Sequence, residues 1–154
     1  MKINLTWTLD RFPGSTSRPD GLLDVAPFDG QHGASDTPEP MPLISVRTSA
    51  AAVAGEALLT ELSSSLAALL GKPERYVMTL LETNVPMTFA ADPAPACYVE
   101  VKSIGALDGD RTRQVSQAVC ALIEQHLGIP AERTYIGFED VPGRLWGWNG
   151  GTFG

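Results

Sequence analysis

Few places in this chain could start chemistry, and the first is a pair. Met41 and Pro42 stand side by side at the head of an alternating run, in "TPEPMPLISVRTS". Proline is tolerated at the first residue of a strand, because its missing N–H is not needed there, and that reading asks for no chemistry. The other reading makes Met41 a start codon and Pro42 a working N-terminus. Lys72, in "GKP", stands where a cation at a helix C-terminus meets the dipole. Tyr76 and Tyr135 read as strand aromatics. His126 reads as a helix residue rather than a catalyst, and His32 lies far upstream. Cys97 and Cys120 are too few and too far apart for a disulfide scaffold or a zinc site, and read as packed thiols in a reducing compartment. The sequence carries no Ser-His-Asp arrangement, glycine-rich phosphate loop or metal-ligand cluster, so no cofactor and no metal are expected.

The elements that must position these residues follow from composition and periodicity. The 154 residues are 44% hydrophobic and 19% charged, ordinary for one soluble domain. The net charge of −7 argues against a nucleic-acid or anionic-membrane partner. No window approaches the ~20 apolar residues that span a bilayer. "MKINLTWTLDRFPG" lacks the apolar core of a secretory signal, so a cytoplasmic protein is expected.

Residues 1–40 are rich in Asp, Gly, Pro and Ser, with hydrophobic residues scattered without period. They are expected to be disordered, or not part of the natural protein at all. From Met41 the texture changes. "PLISVRTS" alternates, with Ile44, Val46 and Thr48 on one face and Leu43, Ser45 and Arg47 on the other. Leu59, Leu62, Leu66 and Leu69 then mark an amphipathic helix over 55–70, closed by Gly71 and Pro73. "YVMTLLETN" is a second strand and "ACYVEVKSIG" a third. Asp108 or Asp110 caps a helix carrying Val115, Val119, Leu122 and Leu127, ended by Gly128 and Pro130, and "TYIGFEDV" is the closing strand.

"LGKPERYVMTLLE" and "LGIPAERTYIGFED" can be laid side by side, about 57 residues apart. Both run Leu, Gly, any, Pro, a Glu-Arg pair, then Tyr and a strand. This is an internal duplication of a βαβ unit, each with a right-handed crossover and a parallel strand pair. The fold class is therefore α+β, a two-layer α/β sandwich with a four-stranded mixed sheet and both helices on one face. Nothing in the chain covers the other face, which points to an oligomer. The aromatic tail "RLWGWNGGTFG", with Trp146, Trp148 and Phe153, reads as a ribbon that can lie across another subunit.

Met41-Pro42, "GKP", "SIG" and "WNGGTFG", in that order within a duplicated βαβ frame, resemble the macrophage migration inhibitory factor family of the tautomerase superfamily. The resemblance covers 41–154 and none of 1–40. It implies a homotrimer with active sites at subunit interfaces and a catalytic N-terminal proline, here Pro42. It further implies substrate-binding roles for Lys72, for the backbone of Ile104, for Tyr135 reaching in from a neighbouring subunit, and for Trp146 and Phe153 as an aromatic wall. Tyr76 joins that wall as a fit for an arylpyruvate ring. Two departures stand out. Gly137 occupies a position where the best-known vertebrate member has an asparagine that donates to substrate, and the CxxC of that member is absent, since Glu100 follows Cys97 by three residues.

The activity so implied is cofactor-independent keto–enol tautomerisation of phenylpyruvate-like enols and α-keto acids, of the phenylpyruvate tautomerase or dopachrome isomerase type. A free α-amine has a pKa near 8, and burial beside the Lys72 ammonium lowers it toward neutrality, leaving a base at pH 7. The alternative is a cytokine-like signalling protein with a vestigial pocket; receptor binding and leaderless secretion are both compatible with the resemblance. In the chain as numbered, Pro42 is an amide and not a base. Activity is therefore expected only where Pro42 is a free N-terminus, through a start at Met41 with methionine removal or through proteolytic release.

Overall fold

A computed structural model describes residues 41–51 and 55–154; the expectation for 1–40 falls outside the described residues. The elements run β1 (Leu43–Thr48), α1 (Gly55–Leu70), β2 (Met78–Glu82), β3 (Cys97–Ser103), α2 (Gly109–Leu127) and β4 (Thr134–Asp140), followed by two-residue strands β5 (Gly147–Trp148) and β6 (Gly151–Thr152). The main sheet has the order β2-β1-β3-β4. β1 is parallel to β2 and β3 is parallel to β4, while β1 and β3 meet antiparallel at the centre. Two βαβ crossovers joined in this way give the expected mixed sheet.

Each helix ends as the repeated joint requires. Gly71 and Gly128 take the left-handed conformation, with φ of 64° and 66°. The Lys72 N–H donates back to Ala67 at 2.9 Å, and the Gly128 N–H donates to Glu124 at 2.9 Å. Pro73 and Pro130 then lead into single 3-10 turns, Glu74–Tyr76 and Ala131–Arg133. At the head of α2 the cap is Asp108, whose carboxylate accepts from the N–H groups of Asp110 and Arg111.

One core lies between the helices and a single sheet face. Strand alternation sends Ile44, Val46, Val99 and Val101 inward, where they meet Leu58, Leu62, Leu66 and Leu70 of α1 and Val115, Val119 and Ile123 of α2. The α1 stripe is rotated from the expected one: Leu58 and Leu70 are buried, while Leu59 and Leu69 lie at its margins. Spacings of four bring Leu58, Leu62, Leu66 and Leu70 onto the face that meets the sheet, and Ala67 is buried beside them. On α2, Ile123 takes the deep position, and Leu122 and Leu127 pack around it. Burying each such side chain stabilises the fold by roughly 1.5–3 kcal/mol.

Among the described residues, no helix packs on the opposite face. It exposes Met78, Leu80, Tyr98 and Tyr135 between ion pairs. Arg47 reaches Glu82 at 2.9 Å and Glu100 at 3.5 Å, and Lys102 reaches Glu139 at 2.7 Å. Hydrogen bonding to the partner carboxylate, Glu82 or Glu139, raises the pKa of Arg47 and of Lys102. No helix among the described residues is long and apolar enough to cross a membrane.

Candidate active site

Pro42 sits at the mouth of β1 with its side chain fully buried. Its carbonyl accepts from the Met78 N–H at 3.0 Å, which ties the start of β1 to the start of β2. On its other side the antiparallel register pairs Leu43 with Lys102, so Ser103 and Ile104 run on alongside Pro42. The turn holding Ile104 is fixed from two directions. The Val141 N–H donates to the Ser103 carbonyl at 2.8 Å, and the Gly105 N–H donates to Asp140 Oδ1 at 2.7 Å. Lys72 and Tyr76 lie on the short passage from α1 into β2, and Tyr76 is two residues before Met78. Pro42, Ile104, Lys72 and Tyr76 therefore belong to one end of the sheet.

The tail comes to this end and closes on Tyr76. Trp148 meets the Tyr76 ring edge to face, with centroids 6.0 Å apart, and stacks near-parallel on Phe153 at 6.4 Å. The Arg75 guanidinium covers Tyr76 at 4.6 Å from the ring centre. A hairpin makes this arrangement: β5 and β6 pair across Asn149 and Gly150, both with positive φ, as a two-residue primed turn requires. The Phe153 N–H is shared between the carbonyls of Gly143 and Trp146, each at 3.2 Å. At Gly143 a Cβ would stand 2.8 Å from the Phe153 carbonyl oxygen, so only glycine lets the tail close. Among the described aromatic contacts Trp146 has none, although it is half-buried. Trp148 is the tail tryptophan that joins Tyr76 and Phe153. The Asn149-Gly150 pair, a primed-turn signal, is what in the sequence could have singled it out.

Tyr135 lies elsewhere. It opens β4 and pairs with Tyr98, five residues before Ser103 along β3, which is roughly 16 Å along the strand. It also stands on the edge strand across β3 from β1. One chain cannot bring Tyr135 to its own Pro42. The Tyr135 ring is 66% exposed and packs at 5.0 Å against Phe89. Phe89 is held by a tight turn in which Phe89 and Asp92 exchange backbone hydrogen bonds, while Ala90 and Ala91 both adopt positive φ. Arg133 clamps that turn: its guanidinium donates to the carbonyls of Pro95, Ala94 and Asp92 and to Asp92 Oδ2, at 2.7–3.2 Å.

Cys97 and His126 are packed into the fold. Burial pushes the Cys97 thiol up to about 12, the wrong direction for a nucleophile. His126 Nε2 faces Glu61 Oε1 at 3.3 Å, between the two helices. Among the described residues no group of His, Cys, Asp and Glu side chains could hold a metal ion.

Comparison with known proteins agrees with this fold. The family model for Macrophage migration inhibitory factor (MIF) matches residues 41–154. The macrophage migration inhibitory factor of Rattus norvegicus is 34% identical over 114 residues, covering 73% of this chain and 99% of the rat protein. A homolog from Trichuris trichiura is 37% identical over 95 residues, 62% of this chain and 83% of its own. The crystal structure of the homologue from Prochlorococcus marinus superposes with a TM-score of 0.71 at 68% identity, over 73% of this chain and 99% of that one. From Met41 onward, the chain belongs to the macrophage migration inhibitory factor family.

Proposed function

We propose that this chain, with Pro42 as its first residue, is a cofactor-independent tautomerase that interconverts the enol and keto forms of phenylpyruvate-like α-keto acids. The observation that carries the reading is the placement of Pro42. It is fully buried at one end of the sheet, beside Ile104, with Lys72 and the Tyr76–Trp148–Phe153 cluster brought to the same end. Converting an enol to a ketone removes one proton from oxygen and adds one to the neighbouring carbon. No electrons are gained or lost, so a single base that can take and return a proton suffices. A secondary amine at Pro42 supplies that base, because an apolar surround and a nearby ammonium both favour its neutral form. The Lys72 ammonium attracts the substrate carboxylate and stabilises negative charge on the enolate oxygen, while the aromatic cluster receives the aryl ring.

The site as read is incomplete in one chain. Tyr135 is presented from the far end of the sheet, and the uncovered face offers the surface through which a second chain can deliver it. A homotrimer with sites shared between neighbours accommodates both facts. Sedimentation should give three times the mass of one chain, and a monomer at micromolar concentration would contradict the shared site.

The decisive experiment follows enol decay by absorbance. It compares a chain beginning at Pro42, the full 154-residue chain, Pro42→Gly and Lys72→Ala. The segment 42–154 holds the whole core described above and spans nearly the full length of the rat relative, so it is a complete folding unit. Activity is expected in the chain beginning at Pro42, with loss of at least about 10²-fold in Pro42→Gly and none in the full chain, where the nitrogen is an amide. Activity no greater than that of Pro42→Gly would sink the proposal.

A further inference from the structure

Gly137 leaves a space on the open sheet face, and that space is filled from the neighbouring strand. A Cβ at Gly137 would stand 3.3 Å from the hydroxyl oxygen of Tyr98, closer than side chains normally pack. Tyr98 is the register partner of Tyr135, and both rings lie on the same uncovered face. Tyr98 thus sends its hydroxyl diagonally over Gly137, beside the edge that presents Tyr135. Tyr98 and Gly137 form one wall of a cavity of about 120 Å³, also lined by Glu100, Lys102, Phe138 and Glu139. That volume is too small for an arylpyruvate, but it can take one end of a ligand.

The hydroxyl is poorly occupied within its own chain. Its contact with Glu100 Oε1 is 3.4 Å, long for an O–H···O bond, and that carboxylate is also drawn to Arg47. The charges around it choose the ligand's chemistry. Lys102 is committed to Glu139 at 2.7 Å, which leaves Glu100 to give the cavity a negative bias. A carboxylate is repelled here, and an uncharged polar group is accepted.

We propose that Tyr98 is a specificity-determining residue. With Tyr135, it reaches the site of a neighbouring chain, and its hydroxyl hydrogen-bonds an uncharged polar substituent on the aryl ring of the substrate, in the cavity that adjoins Gly137. This rests on the tautomerase reading above. The substrate carboxylate turns toward Lys72 and the ring tip toward Tyr98. The site then favours hydroxyphenylpyruvate over phenylpyruvate because only the former offers the hydroxyl a partner.

The test uses the chain beginning at Pro42 and measures kcat and KM for phenylpyruvate and for 4-hydroxyphenylpyruvate. In Tyr98→Phe, KM for the hydroxylated substrate should rise about fivefold, the worth of one hydrogen bond, with kcat and the phenylpyruvate constants nearly unchanged. Gly137→Ser in the Tyr98→Phe background puts a hydroxyl back into the vacated space and should recover most of that loss. In the presence of Tyr98 the same serine crowds the Tyr98 hydroxyl and should not help. Equal effects of Tyr98→Phe on both substrates, or no effect on either, would overturn the role of Tyr98 while leaving the tautomerase reading intact. Parent activity no better than Pro42→Gly would overturn both.

Discussion

The ring of Trp148 stands at 85° to that of Tyr76, with 6.0 Å between centroids. This contact fastens the tail hairpin to the passage that carries Lys72. Trp148→Ala should therefore release the hairpin, at a cost of about 1–2 kcal/mol for two lost aromatic partners, and raise KM for arylpyruvates in the chain beginning at Pro42. Trp146→Ala, made in parallel, should do less on both counts. Urea titration and steady-state kinetics read the two effects, and equal losses in the two variants would show that Trp148 has no special place in the wall.

Arg133 should be a stability residue despite its charge. Its guanidinium is mostly covered and satisfies three carbonyls and the Asp92 carboxylate at once. Arg133→Ala strands those acceptors and should cost about 2–3 kcal/mol. Arg133→Lys keeps the charge but lacks the planar fork, and should recover less than half of it. Limited proteolysis within 89–95 should accelerate in both variants; a cleavage rate like that of the parent would argue that the Ala90-Ala91 turn holds itself.

Alkaline pH should weaken the fold through Cys97. In the unfolded chain the thiol ionises near 9, whereas burial keeps it protonated in the folded chain up to about 12. Between those values the unfolded state binds fewer protons, so stability is intact below pH 9 and falls as pH rises toward 12. Cys97 alone removes about 1.4 kcal/mol by pH 10. Cys97→Ala, though less stable at pH 8, should lose less between pH 8 and pH 10 than the parent does. Parallel losses in denaturant titrations at the two pH values would rule this out. Thiol reagents should modify Cys97 only as the chain unfolds.

Much of this was legible because the chain repeats itself. Strand alternation in "PLISVRTS" and the paired helix endings at Gly71 and Gly128 are local signals, and they placed the four main strands and both helices. The exact stripe on α1 was not legible. Six leucines and three alanines crowd the helix, and only the position of the sheet decides that Leu58 and Leu70, rather than Leu59 and Leu69, face it. The tail holds a related ambiguity. Trp146 and Trp148 are two residues apart among glycines, and the choice between them depends on where the hairpin turns. The Tyr98–Gly137 relation was invisible to spacing, because it joins strands 39 residues apart through a register that only the folded sheet defines.

The separation of Pro42 from Tyr135 gives the proposed trimer a kind of arithmetic. If every working site is a seam, with the amine from one chain and the tyrosine edge from the next, then no chain owns a site. A chain with Pro42→Gly still lends its Tyr135 edge to a neighbour, and a chain with Tyr135→Ala still offers its amine. Two preparations, each nearly inert alone, should regain activity when denatured together and refolded as a mixture. At equal proportions about a quarter of the seams would be whole, since each needs an intact half from both sides. Mixtures that stay as inert as their parents would place both halves within a single chain.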